Sequence, residues 1–305
     1  GAEGQRAMSG GTSSDVFIPQ VATDSIVAGI SDEGVKVLYG SEAVNVSPTL
    51  GAQGMLKVGR KLTIPYFGMI PTWQDDVPEG ASLQPDKASE TVEEAPMKRT
   101  GVAIEYSTWE EMVLLGRSRN LEPYNLFTGQ ALERLGQRFE ARLVTTAVTG
   151  LDSAYINEVP ANASKTIDWD AIADTKQLLG DAAKKIVMLS CHSKVKTDLT
   201  KLKDATGRPL LVDATAGTAE IPRIQGLPLF ESDFNVKSSD SPAKYDTLLL
   251  QRGALALWHS MPTVELYVDP RSGTKQIILW VYYIAYRYKS LPGGSKPGVL
   301  ILRTR

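Results

Sequence analysis

Residues 61–107 read KLTIPYFGMIPTWQDDVPEGASLQPDKASETVEEAPMKRTGVAIEYS, and this stretch decides the fold. It consists of two apolar, strand-like arms, 62–70 and 100–106, on either side of a long polar loop with four prolines. An isolated two-stranded ribbon is only marginally stable in water, and a long loop without its own core is usually functional or disordered. We therefore predict a ribbon that is supported from outside its own domain, which makes it a candidate for contact with a neighbouring subunit.

The loop is strongly acidic, with seven carboxylates and one base between Asp75 and Glu94. Calcium needs six to eight oxygens from a defined loop, and the spacing here matches no such loop, so we predict a partner-facing or solvated acidic patch and no metal site. Charged groups at an interface determine how two partners align more than they determine the affinity of the complex. The predicted intersubunit contact residues are Asp75, Asp76, Glu79, Asp86, Lys87, Glu90, Glu93 and Glu94.

The composition excludes several classes of protein. With 305 residues, 42% hydrophobic and 22% charged, the chain has an ordinary soluble composition and the length for one large or two smaller domains. A net charge of −2 provides no global basic field for nucleic acid. The longest strongly apolar stretch, 277–286, is shorter than the roughly 18–20 residues that a membrane helix needs, so we predict no membrane partner.

Motifs for catalysis and metal binding are missing from the sequence. Two histidines and one cysteine cannot supply the four nitrogen and sulfur ligands of a zinc site, and a lone cysteine excludes an intramolecular disulfide. No G-x-x-x-x-G-K-[ST], G-x-S-x-G or H-E-x-x-H motif is present. Cys191 and His192 are adjacent, but neighbours at a strand end usually point apart, so we interpret them as packing residues. We predict no enzyme activity and no cofactor.

The clearest helix in the sequence covers residues 123–148. Apolar residues recur there at helical spacing, Asn120 is a plausible cap, and Gly150 is a plausible terminator. A helix of about 25 residues spans roughly 37 Å, so it predicts a structural spine. The predicted buried stripe consists of Leu132, Leu135, Phe139 and Leu143.

Arg134, Arg138 and Arg142 share one face of this helix at i, i+4 and i+8. Like charges one turn apart destabilise a helix slightly, which suggests an anionic partner outside the helix. That partner is either the acidic ribbon of a neighbouring subunit or phosphate. The alternative is a solvated face whose charge is relieved by Glu133 and Glu140.

The remaining chain divides into three regions. Residues 1–14 are rich in glycine and serine and predict a mobile arm. After a linker at 151–166, a helix (168–179), a strand (185–190) and a second helix (193–203) indicate an α/β region. The C-terminal part is rich in strands, and its stretch 276–288 is apolar on both faces, as expected for the middle of a covered sheet. The strands predicted there are 246–250, 254–258, 263–268, 276–288 and 299–302.

The order of these parts resembles the major capsid proteins of tailed bacteriophages with the HK97-like fold. DVFIPQVATDSIVAGI (15–30) is similar to the family's N-terminal arm, and RKLTIPYFGMIPTWQDDVPEGASLQP (60–85) to the outgoing arm of its extension loop. MKRTGVAIEYSTWEEM (97–112) is similar to the return arm. IVMLSCHSKVKTDLTKLKDATGRPL (186–210) and IQGLPLFESD (224–233) resemble strand and helix motifs of the same family.

The resemblance implies an α+β, HK97-like capsid fold. It would have an N-terminal arm, an extended β-ribbon loop, a long spine helix, an α/β axial domain and a β-rich peripheral domain. The implied boundaries are an arm (1–30), the start of the peripheral domain (31–56), the extension loop (57–102), the peripheral domain with the spine helix (103–166), the axial domain (167–245) and the peripheral strands with the C-terminus (246–305).

The resemblance also implies a function. Copies of the chain would assemble in the host cytoplasm into hexamers and pentamers of an icosahedral virion capsid around double-stranded DNA, with nonspecific contacts to that DNA. Portal, scaffolding, protease and decoration proteins are further implied partners, and the Gly1 start is compatible with protease maturation or with removal of an initiator Met. One lineage of the family crosslinks an extension-loop lysine, but here no acceptor or catalytic acid matches Lys87, so we expect no crosslink.

Three other functions stay open at this point. An encapsulin-like compartment would share the fold and enclose cargo enzymes. A soluble α/β enzyme would need polar residues converging in a pocket, which the sequence does not show. A β-rich adhesion or carbohydrate-binding module would use aromatic platforms, for which Trp73, Trp109 and Trp258 are the candidates.

Overall fold

The structure is a computed structural model that describes residues 37–48, 61–67, 90–108, 110–112, 123–159, 166–203, 207, 211, 222–269, 271–290 and 296–305. The predicted N-terminal arm, the loop 68–89 and the cap Asn120 lie outside these residues. The described elements are β1 (Val44–Ser47), β2 (Lys61–Phe67), β3 (Glu90–Pro96), β4 (Lys98–Ser107), α1 (Pro123–Val148), β5 (Ile156–Glu158), α2 (Trp169–Gln177), β6 (Ile186–Cys191), α3 (Ser193–Lys201), β7 (Arg223–Ile224), β8 (Leu227–Glu231), β9 (Tyr245–Gln251), β10 (Leu255–His259), β11 (Thr263–Asp269), β12 (Thr274–Arg287) and β13 (Val299–Thr304).

The first sheet is built around β12. Its strand order is β1-β10-β12-β11, and β4 also pairs with β12. Tyr283 of β12 pairs with both His259 of β10 and Lys98 of β4, so β4 lies on one edge of β12 and β10 on the other. This position confirms the prediction that the stretch apolar on both faces forms an interior strand.

The two faces of β12 are covered differently. Its odd-numbered residues from 277 to 283 are buried in the main core. On the opposite face, Ile284 and Tyr286 are buried in a smaller cluster with residues of β2 and β3. Earlier along the same outer face, Trp280 is half-buried and Tyr282 is 39% exposed. The predicted covering is therefore complete on the inner face and partial on the outer face of the single chain.

Helix α1 packs against the inner face of this sheet, and its bounds match the sequence prediction. Gly150 follows it with a φ of +67°, a conformation that glycine adopts without strain. The guanidinium of Arg287 donates to the carbonyl oxygens of Ala147 and Gly150, both at 2.8 Å, and its positive charge suits the helix C-terminus. The predicted stripe residues Leu135, Phe139 and Leu143 are buried, and the side chain of Leu132 lies outside the described residues.

The pairing of the ribbon differs from the sequence prediction. Strand β2 pairs antiparallel with β3, from Lys61 opposite Pro96 to Phe67 opposite Glu90. The stretch 100–106, predicted as the second arm, belongs to β4 and pairs with β12 in the main sheet. The prediction of the second arm was wrong because alternating apolar residues identify a strand but not its partner. The acidic stretch 90–96 is therefore a strand of the ribbon rather than part of its loop.

A second sheet has the order β5-β13-β9-β6-β8-β7. Strands β9 and β13 lie between two hydrophobic cores. Leu248 and Ile301 face the main core, and Leu249 and Leu300 face a second core on the other side of these strands. Helices α2 and α3 bury residues in that second core, which confirms the predicted α/β region. Asp168 starts α2 by accepting a hydrogen bond from the backbone N–H of Ala171 at 2.7 Å.

Candidate intersubunit surface

The predicted acidic contact residues fall into two groups. Asp75, Asp76, Glu79, Asp86 and Lys87 lie outside the described residues, as does the side chain of Glu90. Glu93 and Glu94 are described, and they point to opposite faces of β3, as neighbours on a strand do. The structure therefore assigns different roles to these two carboxylates.

Glu93 faces the main sheet and holds the base of the ribbon. Its carboxylate accepts a hydrogen bond from the hydroxyl of Tyr286 and forms an ion pair with Lys289 at 2.7 Å. The Tyr286 hydroxyl also bonds that of Tyr66, which in turn accepts from the backbone N–H of Lys289 at 3.2 Å. Burial alone would raise the pKa of Glu93, but the bonds from Lys289 and Tyr286 outweigh burial and lower it. Glu93 is thus engaged within its own chain.

Glu94 lies on the outer face of the ribbon. Its carboxylate pairs with the ammonium of Lys61 across the two strands at 2.5 Å, with more than half of each side chain exposed. Val92 on the same face is 58% exposed. Exposed ion pairs of this kind contribute about 0–1 kcal/mol, so Glu94 remains available for a contact outside the chain.

Replacing Glu93 with glutamine is expected to loosen the ribbon at its base. The substitution removes the exposed ion pair with Lys289 and weakens the bond from Tyr286, and we expect a cost of about 1–2 kcal/mol, between the values for an exposed ion pair and for a buried bond to a charged group. Backbone amides of β2 should exchange hydrogen roughly 5–30-fold faster, a rate that hydrogen exchange with mass spectrometry measures. Glu94→Gln is the matched control and should change exchange less than about twofold. Equal effects of the two variants would contradict the role given to Glu93.

The three arginines of the predicted face differ in their exposure to solvent. Arg134 and Arg138 are exposed, whereas Arg142 is half-buried with an Nε that is buried without a hydrogen-bond partner among the described residues. The two glutamates predicted to relieve the charge are occupied elsewhere. Glu133 accepts from Gln137 at 3.1 Å, and Glu140 is buried on another side of the helix. Among the described residues, Arg134 and Arg138 form no ion pair.

A groove lies between these two arginines and strand β4. It encloses about 390 Å³. The larger apolar residues of its lining are Val102 and Leu279 of the sheet, Leu135 of α1 and Phe234, which is 36% exposed. The lining from α1 comprises Ala131, Arg134, Leu135, Gln137, Arg138 and Ala141, and the lining from β4 comprises Thr100, Gly101 and Val102.

Glu140 anchors the segment that precedes β1 to the middle of α1. Its fully buried carboxylate accepts from the backbone N–H of Leu38 at 3.1 and 3.0 Å. Next to it, the hydroxyl of Tyr39 and Nε2 of His259 are 3.0 Å apart. Burial raises the pKa of Glu140 to about 7, although backbone N–H groups of Leu38 and Tyr39 oppose the shift. The alternative prediction, a solvated arginine face whose charge Glu140 relieves, is wrong for Glu140 because this residue is fully buried.

The raised pKa of Glu140 predicts that the contribution of this one carboxyl group to stability is larger in acid than at neutral pH. The folded chain keeps the proton that the unfolded chain loses above its ordinary pKa of 4.5, so stability falls as pH rises from about 4.5 to about 7. The contribution is at most about 3 kcal/mol at 1.4 kcal/mol per unit. Urea unfolding of the unassembled subunit at several pH values measures it. Glu140→Gln should flatten this slope, and an unchanged slope in that variant would contradict the assignment.

The outer face of the main sheet carries an aromatic arrangement that sequence analysis did not identify. The guanidinium of Arg99 lies 4.1 Å from the centroid of the Trp280 ring. The ring also covers Gly101, where an added Cβ would approach the ring carbon to 2.4 Å. Because Arg99 and Gly101 lie 181 and 179 positions before Trp280 in the sequence, only the pairing of β4 with β12 reveals the contact. A glycine in the alternating 100–106 stretch was the one available signal.

The described residues offer no catalytic or metal-binding arrangement. Among them, no cluster of three His, Cys, Asp or Glu side chains could hold a metal ion. Burial raises the pKa of the Cys191 thiol to about 12, which leaves it protonated at neutral pH. Nδ1 of His192 caps α3 by accepting from the backbone N–H of Lys194 at 3.2 Å, rather than contacting the thiol. None of the described helices has the length and apolarity of a membrane span.

Comparison with known proteins identifies the fold. No family model and no curated protein matches the sequence. A solved structure from Mycobacterium phage Che8 is 18% identical, with a TM-score of 0.54 over 85% of this chain and 89% of that one. The capsid of an empty GTA particle is 12% identical, with a TM-score of 0.58 over 89% and 97%.

An encapsulin shares the same architecture. The SrpI encapsulin complex from Synechococcus elongatus PCC 7942 is 13% identical, with a TM-score of 0.54 over 71% of this chain and 76% of the encapsulin chain. Sequence identity at this level does not establish a shared partner or cargo, but the structural likeness covers most of every chain compared. The chain therefore has the mixed α and β fold of phage capsid and encapsulin shell proteins, which confirms the predicted fold class, while the division into arm, loop and domains stays a prediction.

Proposed function

We propose that this chain is a non-enzymatic shell subunit, the major capsid protein of a tailed bacteriophage. The ribbon carries the proposal, because among the described residues β2 and β3 pack on the main sheet by one face only, while Val92 and Glu94 on the other face are exposed. A two-stranded ribbon that is covered on one face only gains stability when its exposed face lies on another subunit. The structural likeness to a phage capsid and to an encapsulin supports the same function.

In this proposal, copies of the chain form hexamers and pentamers of an icosahedral shell that packages double-stranded DNA. Asp75, Asp76, Glu79, Asp86, Lys87, Glu90 and Glu94 contact a neighbouring subunit through the extension loop. The boundaries given above for the arm, loop, axial domain and peripheral domain are part of the proposal. So are assembly in the host cytoplasm and further contacts with portal, scaffolding, protease and decoration proteins.

The second candidate is an encapsulin-like compartment, which the match to the SrpI encapsulin favours. Both candidates require a closed shell, and they differ in what the shell contains. Arg134, Arg138 and Arg142 would contact packaged DNA through phosphates if they line the interior, since phosphate contacts are independent of sequence. An encapsulin shell would enclose a protein cargo instead.

Electron microscopy of the purified full-length chain tests the proposal. We expect closed icosahedral particles, with DNA when the chain is produced together with the packaging proteins encoded beside it. Particles that enclose a protein and never DNA would establish the compartment instead. A chain that stays monomeric at high concentration, with or without those proteins, would contradict both shell functions.

A further inference from the structure

We propose that Glu140 acts as a proton switch for residues 37–47, which we call the docked segment. The segment stays docked on α1 while the carboxyl group of Glu140 carries a proton, and it opens far more often once that proton is lost. The inference goes beyond the proposed shell function and does not depend on it, because the helix and the segment belong to the same chain. It follows from the enclosure of the carboxyl group, from the charges around it and from the position of the docked segment at the edge of the first sheet.

The carboxyl group of Glu140 lies where three parts of the chain meet. It projects from α1 and is fully buried. Both of its oxygens accept from the backbone N–H of Leu38, at 3.1 and 3.0 Å, and the backbone N–H of Tyr39 also bonds it. The hydroxyl of Ser232, on the turn that follows β8, lies beside the same group. One titratable side chain thus connects the docked segment and this turn to the helix.

The surroundings of Glu140 suit a neutral carboxyl group. The hydroxyl of Ser232 is buried and has no hydrogen bond of ordinary geometry among the described residues. A hydroxyl can accept the proton of a neutral carboxyl group, so protonation of Glu140 supplies the partner that this buried oxygen lacks. An ionised carboxylate would need more donors than these to replace the water that it loses on burial.

No cation among the described residues compensates the charge of an ionised Glu140. The charged and titratable side chains on the elements packed around it are Arg138 and Arg142 of α1, Tyr39 and Glu42 of the docked segment, Asp233 of the turn, His259 of β10 and Tyr283 of β12. Positions two residues apart point to different sides of a helix, so the two arginines do not face Glu140. Glu42 and Asp233 are mostly exposed, and they bond Arg252 and the backbone N–H of Ser193 instead.

His259 is neutral and does not supply a positive charge. Its Nδ1 lies 3.0 Å from the carbonyl oxygen of Ser260, to which only a protonated Nδ1 can donate. Nε2 then accepts from the hydroxyl of Tyr39 at 3.0 Å. Burial lowers the pKa of His259, which keeps the ring neutral at pH 7. Tyr39 also stacks on Phe139 of α1, so its side chain is held by two contacts that involve no charge.

The docked segment can open without unfolding the rest of the first sheet. Strand β1 lies at the end of the order β1-β10-β12-β11, and its pairing with β10 covers four residues. Leu38, Ala43 and Val44 are buried in the main core, so the docked state is favoured overall. Detachment of an end strand leaves the pairing of β10 with β12 intact. Opening of residues 37–47 would therefore give the carboxylate access to water at the smallest loss of structure.

The direction of the pH dependence follows from the burial of Glu140. In the docked state the carboxyl group keeps its proton up to a pKa of about 7, whereas in the open state, where water reaches it, the pKa returns towards 4.5. Docking is therefore strongest below about pH 4.5, weakens as the pH rises to about 7 and stays weak above that. Between about pH 5.5 and 7.5 the ratio of open to docked chains should rise about twentyfold.

Hydrogen exchange of the full-length, unassembled chain tests the switch. The amides of Ser41 and Val44 donate to the carbonyl oxygens of Leu38 and Ser41 within the docked segment. Their protection, corrected for the intrinsic pH dependence of exchange, should fall about twentyfold between about pH 5.5 and 7.5. Glu140→Gln has an N–H where the neutral acid has its O–H, so its protection at the two pH values should agree within about threefold. Glu42→Gln removes an exposed carboxyl group from the same segment and is the matched control, which should keep the twentyfold change.

Labelling of a buried thiol measures the opening independently. Ala43→Cys places a thiol at a fully buried position of the docked segment. Its rate of reaction with an uncharged thiol reagent, divided by the rate for the unfolded chain at the same pH, should rise about twentyfold over the same pH range. Adding Glu140→Gln should abolish the rise, and the parent chain with its buried Cys191 gives the background. The wild-type and Glu42→Gln measurements still decide the matter if Glu140→Gln folds poorly.

Four results would overturn the proposal. Equal protection of the wild-type segment at both pH values would show that ionisation does not open it. A change that persists in Glu140→Gln, or is lost in Glu42→Gln, would assign the pH dependence to another group. Opening in acid instead would assign it to His259, because protonation of Nε2 breaks the bond from Tyr39. Exchange of the segment only together with the core of α1, with the same dependence on urea, would show that ionisation destabilises the whole domain.

Discussion

Replacing Phe139 with alanine is expected to lower the free energy of unfolding by about 3–5 kcal/mol, the range for removing a fully buried aromatic side chain. Phe139 is the centre of an aromatic cluster in the main core. Its ring lies 6.1 Å from Tyr39, 5.3 Å from His259 and 6.0 Å from Tyr283, measured between centroids. It thereby joins α1 to the segment before β1 and to two strands of the first sheet.

Two further variants distinguish the loss of stability caused by a cavity from a loss caused by a substitution anywhere in α1. Phe139→Leu keeps most of the volume and should cost about 1–2 kcal/mol. Thr145→Ala lies on an exposed position of the same helix and should change stability by less than about 0.5 kcal/mol. Guanidinium unfolding of the unassembled subunit measures all three. A loss below about 1 kcal/mol for Phe139→Ala would show that the cluster does not stabilise the core.

Much of the fold follows from local patterns in the sequence. The periodicity of Leu135, Phe139 and Leu143 predicted the bounds of α1, and the predicted strands of the C-terminal region lie within a few residues of those observed. These elements have strong signals because each buries one face or both faces in a core, so burial imposes a regular spacing on the apolar residues.

The pairing of the ribbon could not be predicted in the same way. Strand β3 has the sequence ETVEEAP, whose acids and proline are rare in strands, and it is a strand because Ala95 packs in the cluster with Leu62 and Ile64. The stretch 100–106 was the stronger strand signal, but its partners in β12 lie between 169 and 181 positions further along the sequence. Partner choice at that distance depends on tertiary packing, which local alternation does not encode.

Local sequence patterns also failed to predict parts of the candidate site. Sequence spacing placed three arginines on one face, and the structure separates Arg142 from the two that line the groove. Spacing also placed Glu140 among solvated groups. Gly136 and Val144, one turn before and after Glu140, are buried with it and were the available signal that this row faces the core. A carboxylate on the same buried row of the helix as this glycine and valine needs a hydrogen-bond donor inside the protein. The backbone N–H of Leu38 is that donor.

Arg303 is the other residue whose role the sequence did not indicate. Its guanidinium bonds the carboxylate of Asp246 at 2.7 and 3.1 Å and that of Glu158 at 2.8 Å. Both acids are its direct cross-strand neighbours, on β9 and β5. The bond to Asp246 is the main reason that the pKa of Arg303 is raised. One side chain thus connects three strands of the second sheet.

Replacing Arg303 with leucine is expected to cost about 3–5 kcal/mol, because the carboxylate of Asp246 would remain buried without its cation. Asp246 is only 2% exposed, so water cannot replace the guanidinium. Arg303→Lys keeps the charge but loses the two-pronged geometry, and an intermediate loss of about 1–2 kcal/mol follows. Unfolding of the unassembled subunit in guanidinium again provides the measurement.

Arg252→Leu is the matched control for this prediction. Arg252 also pairs with a glutamate, Glu42, but their side chains are 72% and 64% exposed, so its removal should cost about 0–1 kcal/mol. The double variant Arg303→Leu with Asp246→Asn should recover part of the loss, since it removes the buried charge together with its partner. Similar losses for Arg303→Leu and Arg252→Leu, or no recovery in the double variant, would show that burial of Asp246 does not determine the energy of this cross-strand cluster.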